Sequence, residues 1–277
     1  MRLLPPLPLL TPAVATRTAF PGGRPSAGAA ARLVRSPRFV LTELLLWASI
    51  YPAYLAVRGS TIGDAQEAVG HASRLISLER SLDLFHESAL QHFVGGAVAF
   101  FSAYYMLGFG PLIATVLVWL GTRHREHYCV LRTLLLVSLG IAVLFYVLYP
   151  TAPPRLVPSL GISDTVGLSG HDTGSFAGIR FNPYAAMPSM HVGWSLLVGL
   201  VGFRATRRRL LKAGFLGHPF VMAVTVTATG NHYFVDSIAG ATVALTAVGL
   251  VAIARRTGGR LVMPPIRMPA RIRRLSA

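Results

Sequence analysis

Acidic residues are scarce in this 277-residue chain. Ten Asp and Glu stand against 26 Lys and Arg, and charged residues of both signs make up only 13%. That share is about half the roughly 25% usual in soluble domains, which excludes an ordinary water-facing surface. A single cysteine, Cys129, excludes an internal disulfide and a cysteine-built zinc site. Its place at the start of an apolar run suits a packed thiol. What fills the chain instead is hydrophobic, 53% by count, with a mean hydropathy of +0.55. Several apolar runs approach or exceed the roughly 18–20 residues that cross a bilayer. The expectation is a polytopic membrane protein.

A formal charge of +16 raises the question of nucleic acid, and the placement of the charges answers it. Segment 1–38 holds six arginines and no acid, 122–132 holds three basic residues, 204–212 five and 255–277 seven. The other five are Arg58, Arg74, Arg80, Arg155 and Arg180. Basic segments that alternate with apolar runs face the cytosol and are drawn to anionic lipid; no nucleic-acid partner is implied. Both termini are then inside, and the number of spans is even. Six are expected, at about 39–57, the 91–120 run kinked near Gly110-Pro111, 128–148, 188–203, 211–229 and 234–254. Glu43 lies inside the first, either paired or at the interface.

The fold class expected is all-α, a six-transmembrane-helix bundle. The spacing from Leu75 to Leu82 adds an amphipathic helix on the outer face. The bundle domain occupies 39–255, between a disordered Pro/Ala-rich tail at 1–38 and a basic tail at 256–277, both cytosolic. Composition of that kind buries no core. Three prolines interrupt residues 3–10, a patch otherwise similar to a signal-peptide core.

Two short stretches carry the chemistry: Met187-Pro188-Ser189-Met190-His191 and Gly230-Asn231-His232-Tyr233-Phe234-Val235-Asp236. Each brings a histidine to the start of an apolar run. His232 and Asp236 share a face if their segment is helical. A carboxylate there holds the tautomer of a nucleophilic or basic imidazole. The topology puts Arg155, Arg180, His191, His232 and Asp236 at or near one face, where clustered ionisable groups point to function. Pro188 suits a first helical turn, leaving the amides of Ser189 and Met190 for an anion. Arg155 adds a planar fork matched to phosphate oxygens. The set describes phosphoryl transfer. A metal on His191, His232 and Asp236 is disfavoured, because the arginines select an anion over a cation; no metal or other cofactor is expected.

These residues also carry a resemblance. Pro188-Ser189-Met190-His191 resembles the P-S-G-H motif of the type 2 phosphatidic acid phosphatase superfamily, and His232 to Asp236 resembles the H-x-x-x-D half of its third motif. Tyr149-Pro-Thr-Ala-Pro-Pro-Arg155, Ala186-Met-Pro-Ser-Met-His191 and Asn231-His232…Asp236…Gly240 are similar to one branch, the inositol phosphorylceramide synthases and their bacterial relatives. The resemblance covers about residues 40–255. It implies that His232 attacks phosphorus to form a phosphohistidine, that Asp236 orients it, and that His191 protonates the leaving oxygen. Arg155 and Ser189 would bind phosphate. The chain departs from the phosphatase pattern at Leu148, where a lysine is usual, at Leu156, where a proline is, and at Val226, where an arginine is. Arg180, Asn182 and Asn231 are candidates to compensate.

The expected function is transfer of a lipid headgroup phosphate, inositolphosphotransferase-like, at the extracytoplasmic face of a bacterial plasma membrane. Its substrates are then a phospholipid or lipid phosphate and a polyol. With water as acceptor the enzyme is a prenyl or diacylglycerol phosphate phosphatase. A non-catalytic anion-binding protein or transporter is the reading of another class.

Overall fold

The computed structural model of the chain describes residues 41, 43–50, 64–167, 175–176, 179–180 and 183–257. The tail 1–38, most of the first expected span and nearly all of the tail 256–277 lie outside them. Helix α1, Ala65–Ser81, opens at Asp64, whose Oδ1 accepts the Gln66 amide at 3.0 Å. Ala68, Ala72, Leu75, Ile76 and Glu79 recur at helical spacing and are buried, whereas Leu78 and Leu82 are exposed. The expected amphipathic helix is thus the second half of a longer one, and its buried stripe ends in a carboxylate.

Helices α2 (Glu87–Val94) and α3 (Val98–Leu107), joined by a 3-10 turn, run into α4 (Gly110–Arg123) with a bend of 46°. The break falls at Gly108-Phe109, just before the expected Gly110-Pro111. Pro111 sits in the first turn of α4, where its missing N–H leaves no hydrogen bond unmade. Four further helices follow: α5 (Arg125–Leu148), α6 (Met190–Ala205), α7 (Arg209–Ala228) and α8 (Phe234–Arg256). Helices α5, α7 and α8 are long and apolar enough to cross a membrane, and the bent α2–α4 unit makes a fourth if it is one span. Helix α6, with 16 residues, is shorter. Apart from a two-residue antiparallel pair, Ser175–Phe176 with Ile179–Arg180, the described residues are helical or irregular.

Helix α6 lies innermost, packed on α5, α7 and α8, with Leu197, Val198 and Val201 in one cluster with Leu131 and Leu135 of α5 and Ala244 and Ala247 of α8. Helices in lipid gain little from the hydrophobic effect on associating, so backbone approach through small residues does the packing. Gly193 of α6 meets the backbone of Gly240 in α8, and a side chain on Gly240 would run into the carbonyl of Ser189. Near the start of α5 the buried Glu43 carboxylate accepts from Arg132 Nη1, and from Tyr128 Oη at 2.6 Å. Glu43 is therefore paired, and the pair ties helical residues 43–50 to α5. Cys129 packs at the edge of the same core cluster.

Candidate active site

The far end of α5 leads into the segment that builds the site. Thr151 donates its amide to Tyr184 O at 2.6 Å and accepts that of Ala186 at 3.3 Å, forming a short parallel bridge. The Ala152 amide bonds Ala68 O of α1 at 3.1 Å, and the Arg155 amide bonds Gly230 O at 3.0 Å. The proline-rich segment is therefore held on both sides, by α1 and by the α7–α8 turn. Gly230 makes that turn at φ 71°, with Ile162, Ser163 and Arg155 close where a side chain would stand.

His232 sits two residues before α8 rather than within it. Its amide and that of Asn231 both bond Val226 O, at 3.1 and 3.0 Å, wrapping the turn onto the end of α7. His232 Nδ1 lies 2.8 Å from Ala186 O and 3.5 Å from Asp236 Oδ2. A carbonyl oxygen only accepts, so Nδ1 carries a proton, and in the neutral imidazole the lone pair is left on Nε2. The expected pairing with Asp236 is thus shared with, and second in distance to, a backbone carbonyl. Asp236 is fully buried, and its Oδ2 also accepts the Tyr233 amide at 2.9 Å.

His191, the second residue of α6, brings its ring to 5.5 Å from that of His232. Tyr105 of α3 stacks on it at 4.6 Å and Phe109 lies at 4.2 Å, so the bend between α3 and α4 supplies one wall of the site. The Ser189 amide, expected to be open to an anion, instead donates to Asp236 O at 3.0 Å. Close approach of α8 at Gly240 makes that bond possible and consumes the donor. The buried Ser189 hydroxyl has no partner.

Arg155 Nη1 donates to Asn231 Oδ1, and its Nε lies 3.9 Å from Asp164 Oδ2. Asn231 Nδ2 donates to Thr229 Oγ1 at 2.8 Å. Asn231 is thus engaged at both ends and acts on Arg155, fixing its fork. Gln91 of α2 braces the same loop through Ser163, accepting its amide at 2.9 Å and donating to its carbonyl at 2.9 Å. Arg180 contributes only its backbone to the described residues, and Asn182 lies outside them. Leu148 is 76% exposed and Val226 fully buried, so neither offers a polar group in place of the expected cations. Among the described residues, no group of three or more His, Cys, Asp or Glu is disposed to hold a metal ion.

Four residues around the site escaped sequence reasoning. The Ala186 carbonyl is backbone and leaves no side-chain signal. Tyr105 and Phe109 read as ordinary apolar residues of a long run. Glu79 was detectable: spacing from Ala68, Ala72, Leu75 and Ile76 puts it on the apolar stripe, where an acid is out of place.

No curated protein and no solved structure matches the chain significantly. The family model of the PAP2 superfamily matches residues 73–250, from within α1 to near the end of α8. That interval contains all four segments that build the site: the proline-rich segment, the start of α6, the α7–α8 turn and the aromatic wall. With its long apolar helices the protein is an integral membrane protein, and the chain belongs to the PAP2 superfamily, as a phosphatase or phosphotransferase.

Proposed function

We propose that the protein transfers a lipid headgroup phosphate through a phosphohistidine on His232, with an inositol-type polyol as acceptor. The observation that carries the reading is the Nδ1 bond of His232 to Ala186 O, which leaves Nε2 as a nucleophile beside His191. In the first half-reaction Nε2 attacks phosphorus as the bond to the lipid oxygen breaks, and His191 gives that oxygen its proton. In the second, the acceptor hydroxyl loses its proton to His191 while its oxygen takes the phosphoryl group from nitrogen. Asp236 and the Ala186 carbonyl hold the imidazole and steady the positive charge it gains. Arg155, fixed by Asn231, and the spare hydroxyl of Ser189 bind the phosphate oxygens. The lack of cations at Leu148 and Val226 sets the chain apart from the phosphatase pattern and supports the transferase branch.

The topology that suits this chemistry has six spans, with 39–57 and α6 among them, both termini cytosolic and the site outside. The basic residues at 204–212, between α6 and α7 and away from the site, support that orientation.

The test is turnover of a labelled lipid-phosphate panel in liposomes, with and without inositol, by wild type, His232→Ala and His191→Ala. Label should appear on the polyol with wild type and be lost in both variants. Label released as inorganic phosphate regardless of polyol makes water the acceptor. Unchanged turnover in His232→Ala removes the phosphohistidine.

A further inference from the structure

Three consecutive amides at the start of α8 are each taken by a different carboxylate. Tyr233 N donates to Asp236 Oδ2 at 2.9 Å, Phe234 N to Glu87 Oε1 at 3.1 Å, and Val235 N to Glu79 Oε1 at 2.6 Å. The two glutamates come from α1 and α2 and are almost fully buried, Glu79 at 0% and Glu87 at 1% exposure. Bonds to adjacent amides bring the two carboxyl groups together, and the buried Oε2 of each has no hydrogen-bond partner. Two ionised carboxylates would leave both oxygens unpaired, because neither has a hydrogen to donate. One proton between them satisfies both orphaned oxygens at once.

We propose that Glu79 and Glu87 are positioning residues that share one proton and, with Asp236, cap the first turn of α8 so as to fix the turn carrying His232. The charged groups acting on Glu79 are Glu87 and Asp236, both acids, and Tyr233 is the titratable group facing all three. Burial first, and the Glu87 contact next, push the Glu79 carboxyl up from 4.5 to about 9; burial and the same acids push the Tyr233 phenol well above its usual range. Loss of the shared proton to solvent would leave two facing carboxylates beside Asp236. Their repulsion would part α1 from α8 and release His232. The link between the capping acids and His232 is short, since Asp236 Oδ2 serves both the Tyr233 amide and the imidazole.

This inference builds on the proposed role of His232, so its test has readouts that need no turnover. An infrared titration of the full chain in detergent follows the carbonyl stretch of a protonated carboxylic acid. The histidine nitrogen spectrum follows the His232 Nδ1–H signal, assigned by its loss in His232→Ala. The acid band should vanish near pH 9 in wild type, with the His232 signal moving in step. Glu79→Gln keeps a neutral hydrogen-bonding group, so it should lack the band yet hold the His232 signal through about pH 10. Glu87→Gln, as a second neutral variant, should behave likewise. On any lipid phosphate that wild type turns over, Glu79→Gln should keep kcat within about threefold and extend the alkaline limb. Glu79→Ala should lower kcat about tenfold or more with KM little changed. Absence of the acid band at neutral pH, or an alkaline limb identical in wild type and Glu79→Gln, would overturn the proposal. A wild type without turnover but with the linked spectral titration would instead count against the proposed reaction alone.

Discussion

The two ends of α5 lie beside two buried glutamate sites, and the two are neutralised by different means. Near its start, Glu43 meets Arg132 and Tyr128, so the carboxylate is balanced by a permanent cation. Beyond its far end, Glu79 accepts the Val235 amide next to Glu87, which accepts that of Phe234, and their balance rests on a proton and on dipoles. A guanidinium does not titrate near neutrality, so the first site behaves as a fixed brace. A shared proton exchanges with solvent, so the second responds to pH. The brace lies away from the chemistry, and the responsive pair lies against it. Loss of the first should therefore cost stability alone, whereas loss of the second should touch activity as well.

The sharpest way to separate them starts at the site itself. His232→Ala should abolish turnover, by about 10³-fold or more as for other lost nucleophiles, while the protein stays folded in detergent and loses less stability than Arg132→Met. An equal loss of stability would mean that the imidazole is part of the brace rather than of the chemistry. At the other end, Arg132→Met leaves Glu43 buried without its cation. It should cost about 3–5 kcal/mol of stability, with kcat unaltered in the protein that remains folded. A fall in kcat would join the two ends that the comparison keeps apart.

Between these lies Gly240→Ala. The new methyl meets the Ser189 carbonyl, and overpacking of this kind costs about 1–3 kcal/mol. It should also lower kcat, because the Ser189 amide to Asp236 carbonyl bond joins the two histidine-bearing segments. The last test is the effect of pH on wild-type stability. Glu79, raised from 4.5 to about 9, holds its proton more tightly folded than unfolded. The stability this contributes is complete below pH 4.5 and is lost as pH rises to about 9. Thermal melts of wild type should fall across that window relative to Glu79→Gln, and melts of Arg132→Met should fall in parallel with wild type.

The legible part of the fold was what depends on period and composition. The apolar runs located α5, α7 and α8 to within a few residues, and glycine with proline located the break before α4, because both signals are local. Only the second half of α1 was read as a helix, since its first half carries alanines and polar residues whose burial depends on Tyr233 and Val157 lying across from them. Residue type and order single out Arg155, His191, His232 and Asp236, which the structure brings near one another. The partner of the imidazole was not legible in this way: spacing suggested Asp236, and the fold put the Ala186 carbonyl nearer.

By itself the sequence determined a membrane bundle with two histidines and an arginine near one of its ends, because hydropathy and charge placement are read one residue at a time. Only the tertiary structure decided which tautomer His232 holds, that the Ser189 amide is consumed, and that two glutamates from separate helices meet at the start of α8. Those outcomes depend on hydrogen bonds between segments distant in the chain, and their geometry exists only once α1, α6 and α8 have packed together.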